Sequence, residues 1–120
     1  MTGSIIQWNI HGHNANRPNL ELLDSKYSPS VICLQETMLK DNNMTFKGFE
    51  PHHKPGTVDT MGRAHGGVSI YVKSNLSQSK IILHTRLQAV AIKVTLHTTI
   101  TTCSLYLPPS EPVSRSALNL

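Results

Sequence analysis

The first part of the chain alternates between apolar runs and polar, turn-forming segments. Ser4 to Asn9 is a β-branched and aromatic run, and the run from Ser30 to Gln35, which follows Pro29, is almost continuously apolar. Both runs predict strands, the second one buried on both faces. Arg17 to Ser25 carries leucines between acidic residues and predicts a short helix, with Pro18 in its first turn. Strand, helix and strand at this spacing predict a parallel crossover unit.

The pattern disappears between Thr37 and Gly66. Prolines, glycines and asparagines interrupt this segment, and no apolar periodicity is left in it. We predict a long irregular segment, which in a compact domain is mostly functional or disordered. The segment is basic, and its cations are candidate nucleic-acid-binding residues: Lys40, Lys47, Lys54 and Arg63.

Strand patterns return after Gly67. Three further strands are predicted, at Val68 to Val72, Leu87 to Leu96 and Thr99 to Leu105. Apolar residues alternate with small and polar ones in the second, which predicts a strand covered on one face. The link His97-Thr98 is short enough for a hairpin. The tail is turn-like at 108–112, and its apolar end at 117–120 predicts the start of a helix.

Composition narrows the picture only slightly. A length of 120 residues suits one domain, and 11 Lys and Arg against 7 Asp and Glu give a net charge of +4, which favours polyanionic partners. Cys33 and Cys103 lie in apolar runs and are expected to be buried, reduced thiols. No signal peptide or membrane-spanning pattern is present, so we expect an intracellular protein of the nucleus or cytoplasm, not secreted and without a membrane partner.

Three polar residues stand at the carboxyl ends of predicted strands, where open α/β sheets bind ligands. They are Asn9, Glu36 and Tyr106. A strand-end carboxylate suits Mg²⁺, an amide can bind the same phosphate, and a tyrosine hydroxyl can donate to a phosphate oxygen. Each residue also has a purely structural interpretation: Glu36 as a solvated cap, Asn9 as a turn residue and Tyr106 packed on a proline.

The histidines are a weaker signal. His11 and His13 alternate and so could share one side of an extended segment, as in some metal sites, but no further Cys or His lies at a supporting spacing. We interpret them as ordinary loop histidines. His52, His53 and His65 lie in the basic segment and are expected to contact solvent or a nucleic-acid backbone.

Four segments of the chain carry a resemblance to a known family. They are Ile6 to Gly12, Pro29 to Thr37, Gly66 to Val72 and Ser104 to Pro109. In this order they resemble the amino-terminal half of the endonuclease/exonuclease/phosphatase domain of non-long-terminal-repeat retrotransposons, especially the Jockey-like group. The most specific elements are Trp8-Asn9 near the start and Leu34-Gln35-Glu36-Thr37 after an apolar strand.

The resemblance implies a fold. Residues 1–120 would be a partial domain of α/β (α+β) class, the amino-terminal half of a four-layer α/β/β/α sandwich that is truncated at its carboxyl end. We expect a mixed sheet with one flanking helix and a long basic loop. If each half of the domain supplied roughly one sheet, this half would leave an apolar sheet face uncovered, and the chain would bind a hydrophobic dye or self-associate.

The resemblance also implies a function, namely Mg²⁺-dependent hydrolysis of a DNA strand at a target site, with Mn²⁺ as an alternative ion. Glu36 would be the metal ligand, Asn9 the amide of the phosphate and metal site, and Tyr106 the active-site tyrosine. The family's Asp-x-Asn pair and terminal Ser-Asp-His do not follow Tyr106. We therefore expect this chain to be inactive, and its full-length parent to be a polyprotein with a reverse transcriptase.

Two alternatives remain open from the sequence. One is a non-catalytic nucleic-acid-binding remnant, in which the basic segment contacts phosphates and Glu36 is dispensable. The other is a superfamily phosphatase fragment, acting on a phosphomonoester or a phospholipid head group. The retrotransposon-like local sequence favours the endonuclease over the phosphatase.

Overall fold

The computed structural model describes residues 3–107. In chain order the elements are β1 (Ile5–Asn9), α1 (His13–Tyr27), β2 (Val31–Gln35), β3 (Phe49–Lys54), β4 (Thr57–Val58), β5 (Ala64–His65), β6 (Val68–Lys73), β7 (Gln78–Ile81), β8 (Gln88–Thr95) and β9 (Thr99–Tyr106). The predicted turn at 108–112 and helix start at 117–120 lie outside the described residues. No helix within the described part of the chain is long and apolar enough to cross a membrane.

A four-stranded mixed sheet of order β1-β2-β6-β3 forms the first layer. Strands β1 and β2 are parallel, with Ile5 opposite Val31 and Asn9 opposite Gln35, and α1 connects them. The predicted crossover unit is therefore confirmed. Strand β2 is buried along almost its whole length, as its continuous apolar sequence predicts.

Helix α1 is longer than predicted, because it begins at His13 and not near Arg17. Its first turn is held by Asn16, whose backbone N–H donates to the Gly12 carbonyl at 3.2 Å and whose side-chain amide donates to the Ile10 carbonyl at 2.7 Å. These contacts stabilise a polar turn that shows no apolar periodicity. Pro18 consequently lies inside the helix rather than in its first turn.

The segment between Thr37 and Gly66 is not irregular throughout, so that prediction is wrong in part. Strand β3 (Phe49–Lys54) pairs antiparallel with β6 as the sheet's edge strand, and β4 and β5 form a small hairpin. Pro51 interrupts the strand pattern of β3, and an edge position tolerates a proline because one side of the strand is unpaired. The remaining residues of the segment form loops and turns.

A three-stranded antiparallel sheet of order β7-β8-β9 forms the second layer. Strands β8 and β9 and the hairpin between them confirm the prediction, although the link spans 96–98, with Thr95 opposite Thr99. Strand β7 (Gln78–Ile81) was not predicted, because its sequence is short, mostly polar and half exposed.

Two apolar cores hold the layers together. The core between the sheets contains Val31, Cys33, Val68, Ile70, Val72, Val90, Ile92 and Val94. The core between the first sheet and α1 contains Ile10, Leu20, Ile32, Leu34, Phe46, Phe49 and Tyr71. The expectation that this half of the domain would supply one sheet is therefore wrong, since the described residues supply strands to two facing sheets. Some apolar surface of the first sheet stays uncovered on β1, where Ile5 is 45% exposed.

Both cysteines are free thiols, but only one is buried. Burial raises the pKa of Cys33 to about 11, which keeps this thiol protonated and unreactive. Cys103 is exposed, contrary to expectation, because it alternates with the inward-facing residues Thr102 and Ser104 of β9.

Candidate active site

The polar residues predicted at strand ends meet at one edge of the sheets. The parallel strands β1 and β2 end side by side at Asn9 and Gln35, and Glu36 follows directly. The antiparallel strand β6 begins at the same edge, because Val68 pairs with Gln35. We define the site edge as five residues: Asn9, His11, Glu36, Gly66 and Tyr106.

The Glu36 carboxylate has two side-chain partners at the site edge. One oxygen lies 2.9 Å from His11 Nδ1, and the Glu36 side chain keeps 20% of its surface exposed. The Tyr106 hydroxyl is the second partner. Desolvation raises the pKa of Tyr106, and the negative charge of Glu36 and the hydrogen bond to its carboxylate raise it further. The hydroxyl of Tyr106 therefore remains a protonated donor at neutral pH.

The backbone beneath the site edge adopts an unusual conformation. His11, Glu36 and Met38 have φ angles of 50°, 53° and 57°, and neighbouring Gly12 has 102°. Left-handed conformations at non-glycine residues cost roughly 1–3 kcal/mol each and persist where surrounding contacts determine them. Here the Gly12 N–H donates to the Glu36 carbonyl and the Met38 N–H to the Gly66 carbonyl, both at 2.8 Å. Hydrogen bonds between three loops thus hold the strained segment that carries Glu36.

Gly66 allows the tyrosine to reach this position. Its φ angle is 75°, and a Cβ atom there would lie 2.8 Å from a ring carbon of Tyr106. The Tyr106 ring therefore packs directly on the Gly66 backbone, and a side chain at this position would block that approach. Gln88, opposite Tyr106 in the β8–β9 register, accepts a hydrogen bond from the Gly67 N–H at 2.5 Å. No signal in the sequence distinguished Gln88 from other strand residues.

Asn9 is exposed at the end of β1. By strand alternation it shares a face with Gln7, whose side chain hydrogen-bonds Gln35 on the side facing the second sheet. Asn9 and Glu36 thus belong to the ends of two adjacent strands. The direct partner of Glu36 is His11, which sequence reasoning had interpreted as an ordinary loop histidine.

His13 does not form a metal pair with His11. It is fully buried, and its Nε2 lies 2.8 Å from the Tyr71 hydroxyl in the helix-side core. The interpretation of His13 as a loop histidine is therefore wrong. His53 is also buried, with Nδ1 2.6 Å from the Ser69 hydroxyl and Nε2 2.7 Å from the Met44 carbonyl, so it contacts neither solvent nor a nucleic-acid backbone.

The residues of the site edge suit Mg²⁺ that is bound through few protein ligands. Among residues 3–107 no group of three or more His, Cys, Asp or Glu side chains is arranged to hold a metal ion. Mg²⁺ commonly binds through one or two carboxylates and completes its shell with water and substrate phosphates, so it does not need such a group. The partly exposed carboxylate of Glu36 suits this mode of binding.

Three of the four candidate nucleic-acid-binding cations lie at the same end of the sheet as the site edge. Lys54 pairs with Val68, where β6 begins, and Lys40 follows Leu39, whose carbonyl accepts from the Gly56 N–H. Arg63 lies in the turn of the β4–β5 hairpin. Lys47 lies at the opposite end, close to where Gly48 accepts a hydrogen bond from Ser74.

The hairpin that carries Arg63 is braced by one carboxylate. Asp59 accepts hydrogen bonds from the backbone N–H groups of Met61 and Arg63 at 2.9 and 3.0 Å, and its second oxygen lies 2.6 Å from His65 Nε2. These bonds lower the pKa of Asp59, with the bond to His65 contributing most. His65 is therefore exposed but engaged by a neighbour within its own hairpin.

Comparison with known proteins identifies the family of this chain. Residues 6–116 match the model of the Endonuclease/Exonuclease/phosphatase family. The chain belongs to this family. A search of curated proteins finds no match.

Two solved structures of endonucleases have a similar fold. One is the endonuclease domain of TRAS1, a telomere-specific non-LTR retrotransposon, with a TM-score of 0.65, 18% identity, and coverage of 90% of this chain and 47% of that one. The other is the AP endonuclease LMAP from Leishmania major, with a TM-score of 0.65, 18% identity, and coverage of 92% and 41%. The family member described here spans less than half of either structure.

Proposed function

We propose that the site edge is the metal- and phosphate-binding part of an active site that hydrolyses DNA phosphodiesters with Mg²⁺, or with Mn²⁺ in its place. The position of the Glu36 carboxylate carries this proposal. It stands at the carboxyl ends of parallel strands, partly open to solvent, between His11 and Tyr106. This is where open α/β sheets bind ligands, and a single carboxylate with room for water and phosphate suits Mg²⁺.

Each side chain of the site edge has a role in this proposal. A Mg²⁺ ion on Glu36 would polarise a phosphoryl oxygen and offset the charge that develops on it. The Asn9 amide would donate to a non-bridging oxygen of the same phosphate, and on substrate binding the Tyr106 hydroxyl would turn its single hydrogen from Glu36 to another. His11 holds one oxygen of Glu36 and so orients the carboxylate.

The charges around the site edge support a nucleic-acid substrate. Lys40, Lys54 and Arg63 lie at the site end of the sheet, and the net charge of the chain is +4. Cations spaced along this end would contact successive phosphates, which is the main source of affinity for a nucleic-acid backbone. We assign DNA as the substrate because both of the similar structures named above are endonucleases.

The proposal extends to activity and to the parent protein. General acid–base help is worth about 10²–10⁴-fold in rate, and the Asp-x-Asn and Ser-Asp-His motifs tied to that help by resemblance do not follow Tyr106 in this sequence. We therefore expect the 120-residue chain to bind metal and DNA but to nick DNA at trace rates at most. In a longer parent, the domain would nick target DNA for a reverse transcriptase of the same retrotransposon polyprotein.

Metal binding to the chain tests the central step. Mn²⁺ binding is measured by electron paramagnetic resonance for the wild type, Glu36→Gln and the matched control Glu50→Gln, whose carboxylate is exposed on β3. We expect Glu36→Gln to weaken Mn²⁺ binding by at least about tenfold and Glu50→Gln to leave it unchanged, because only Glu36 lies at the site edge. Equal affinity in all three proteins would contradict the proposal.

A non-catalytic nucleic-acid-binding role is the second candidate. One observation favours it: three of the candidate cations, Lys40, Lys54 and Arg63, lie at the site end of the sheet. DNA affinity that falls steeply with salt and is unchanged by Glu36→Ala, with or without Mg²⁺, would support this candidate over the first. Hydrolysis of a phosphomonoester and not of DNA by the parent would instead support a phosphatase.

A further inference from the structure

A chain of side-chain hydrogen bonds crosses from one sheet to the other beside the site edge. The Gln35 amide, which itself accepts a hydrogen bond from Gln7, donates to the Ser104 hydroxyl at 2.8 Å. The Ser104 hydroxyl in turn donates to the Leu34 carbonyl at 2.8 Å. Ser104 is fully buried, so this hydroxyl has both its donor and its acceptor roles satisfied in a low-dielectric environment.

The bridge lies next to both partners of the central hydrogen bond of the site. Gln35 immediately precedes Glu36 on the first sheet, and Ser104 lies two residues before Tyr106 on the second sheet. Among the described strands β9 pairs only with β8, so no backbone ladder sets its position over β2. The core between the sheets is apolar and therefore non-directional, and the other hydrogen bonds between the two sheets within the described residues involve Gln78 on β7 and Gln88 on β8, not β9.

We propose that Ser104 and Gln35 are positioning residues that set the height of β9 over β2 and thereby bring the Tyr106 hydroxyl to the Glu36 carboxylate. They touch neither metal nor substrate. Their importance for catalysis rests on the proposed function. Their effect on the position of Tyr106 does not depend on it. Without the bridge, β9 loses its own hydrogen bonds to β2, and we expect the Tyr106 side chain to shift relative to the Glu36 carboxylate.

The chain offers a matched control in Thr102. This residue lies two positions before Ser104 on the same inward face of β9 and is also buried. Its hydroxyl donates to the Ile92 carbonyl at 3.4 Å, within its own sheet. Thr102→Ala deletes a buried hydrogen bond within the second sheet, whereas Ser104→Ala deletes the two hydrogen bonds that link β9 to β2.

The experiment compares Ser104→Ala with Thr102→Ala by nuclear Overhauser contacts between the Tyr106 ring and the Gly66 α-protons, which pack together in the wild type. We expect this contact to weaken or disappear in Ser104→Ala and to persist in Thr102→Ala. Gln35→Met, which keeps the side-chain length and lacks the amide, provides a second break in the bridge and should reproduce the loss. Retention of the contact in a folded Ser104→Ala or Gln35→Met protein, or equal loss in Thr102→Ala, overturns the proposal.

Mn²⁺ affinity links the bridge to function. Loss of an outer hydrogen-bond partner of a metal ligand typically weakens metal binding by about 10–100-fold. The bridge acts on Glu36 only through Tyr106, so we expect an effect at the lower end of this range. Mn²⁺ affinity should fall about tenfold in Ser104→Ala and stay unchanged in Thr102→Ala. If the wild type bound no Mn²⁺, the proposed function would fail. The contact between Tyr106 and Gly66 would still show whether the bridge positions Tyr106. If Ser104→Ala lost the contact and kept full Mn²⁺ affinity, the positioning of Tyr106 would stand and its importance for the metal would be refuted.

Discussion

Two tyrosine hydroxyls in this molecule have opposite surroundings. Tyr71 on β6 is fully buried, its hydroxyl lies 2.8 Å from His13 Nε2, and the rings of Phe46 and His53 lie at 5.5 and 5.6 Å from its own. Tyr106 is half-buried, and its hydroxyl faces the Glu36 carboxylate at an open edge. The Tyr71 hydroxyl is therefore surrounded by neutral partners, whereas the Tyr106 hydroxyl lies beside a carboxylate.

The histidines beside Tyr71 follow the same rule. Burial lowers the pKa of His13 to about 4 and also lowers that of His53, so both rings are neutral near pH 7. At the site edge the surroundings differ, because the Glu36 side chain keeps contact with solvent and lies beside His11 and Tyr106. The comparison teaches that burial, and not residue type, separates the tyrosine that stabilises the fold from the tyrosine available for chemistry.

The largest expected contrast comes from truncating each tyrosine. Tyr71→Ala should lower the free energy of unfolding by about 3–5 kcal/mol, because it removes a buried aromatic ring and leaves a cavity. Tyr106→Ala should lower it by about 1 kcal/mol or less, because its side chain is only partly buried and lies at an edge. Urea unfolding followed by circular dichroism measures both values, and similar losses would erase the distinction.

The next largest effect concerns acid. A histidine whose pKa is lowered on folding is protonated more readily in the unfolded state, so its contribution to stability is complete above about pH 6.5 and is lost as the pH falls towards about 4. For His13 the loss should be on the order of 3 kcal/mol. Unfolding free energies measured from pH 7 to pH 4 should show this slope in His84→Gln, an exposed control, and a shallower slope in His13→Gln. An equal slope in both variants would exclude His13 as the source.

Removing only the hydroxyl groups gives a finer comparison. Tyr71→Phe leaves the buried Nε2 of His13 without its partner and should lower the free energy of unfolding by about 1–3 kcal/mol. Tyr106→Phe should change stability by less than about 0.5 kcal/mol. DNA affinity in the presence of Mn²⁺ should respond in the reverse order, falling for Tyr106→Phe and staying constant for Tyr71→Phe. A loss of affinity confined to Tyr71→Phe would contradict the assignment of the two roles.

The smallest effect is expected at a second carboxylate–histidine pair, Asp59 with His65, which has no tyrosine partner. Asp59→Asn should leave the melting temperature unchanged, because exposed ion pairs contribute little to stability. It should weaken DNA binding slightly, since the hairpin that carries Arg63 loses the contact between Asp59 Oδ2 and His65. Asp24→Asn carries the same charge change on α1 and is the control. Equal DNA affinity of the two variants would mean that the brace does not matter.

Much of the fold was predictable because local patterns specify it. The apolar runs that became β1, β2, β6, β8 and β9 carry β-branched residues in strand periodicity, and the crossover rule then placed β1 beside β2. The placement of Asn9 and Glu36 at the ends of adjacent strands followed from the same rule, because adjacent parallel strands end at one edge. Strands β3 and β7 were missed because pairing with β6 and β8 stabilises them in spite of a proline or a polar sequence.

The partners of the candidate site residues were much less predictable. His11 and His13 are two positions apart in the sequence, yet one contacts Glu36 and the other is buried against Tyr71. The start of α1 between them turns the two side chains in different directions. Gln88 and Ser104 look like ordinary strand residues, and their importance follows from contacts with Gly67, Gln35 and Leu34 that are distant along the chain.

The amino-acid sequence by itself determined which segments form most of the strands and which strand ends carry an amide, a carboxylate and a phenol. It also determined which family the chain is similar to. These properties depend on residue type and on the order of residues over short distances in the chain. Tertiary structure decided which hydroxyl meets a charge and which is buried among neutral rings. The physical reason is that burial and hydrogen-bond partnership depend on how two sheets and a helix pack, and these are contacts between residues far apart in the chain.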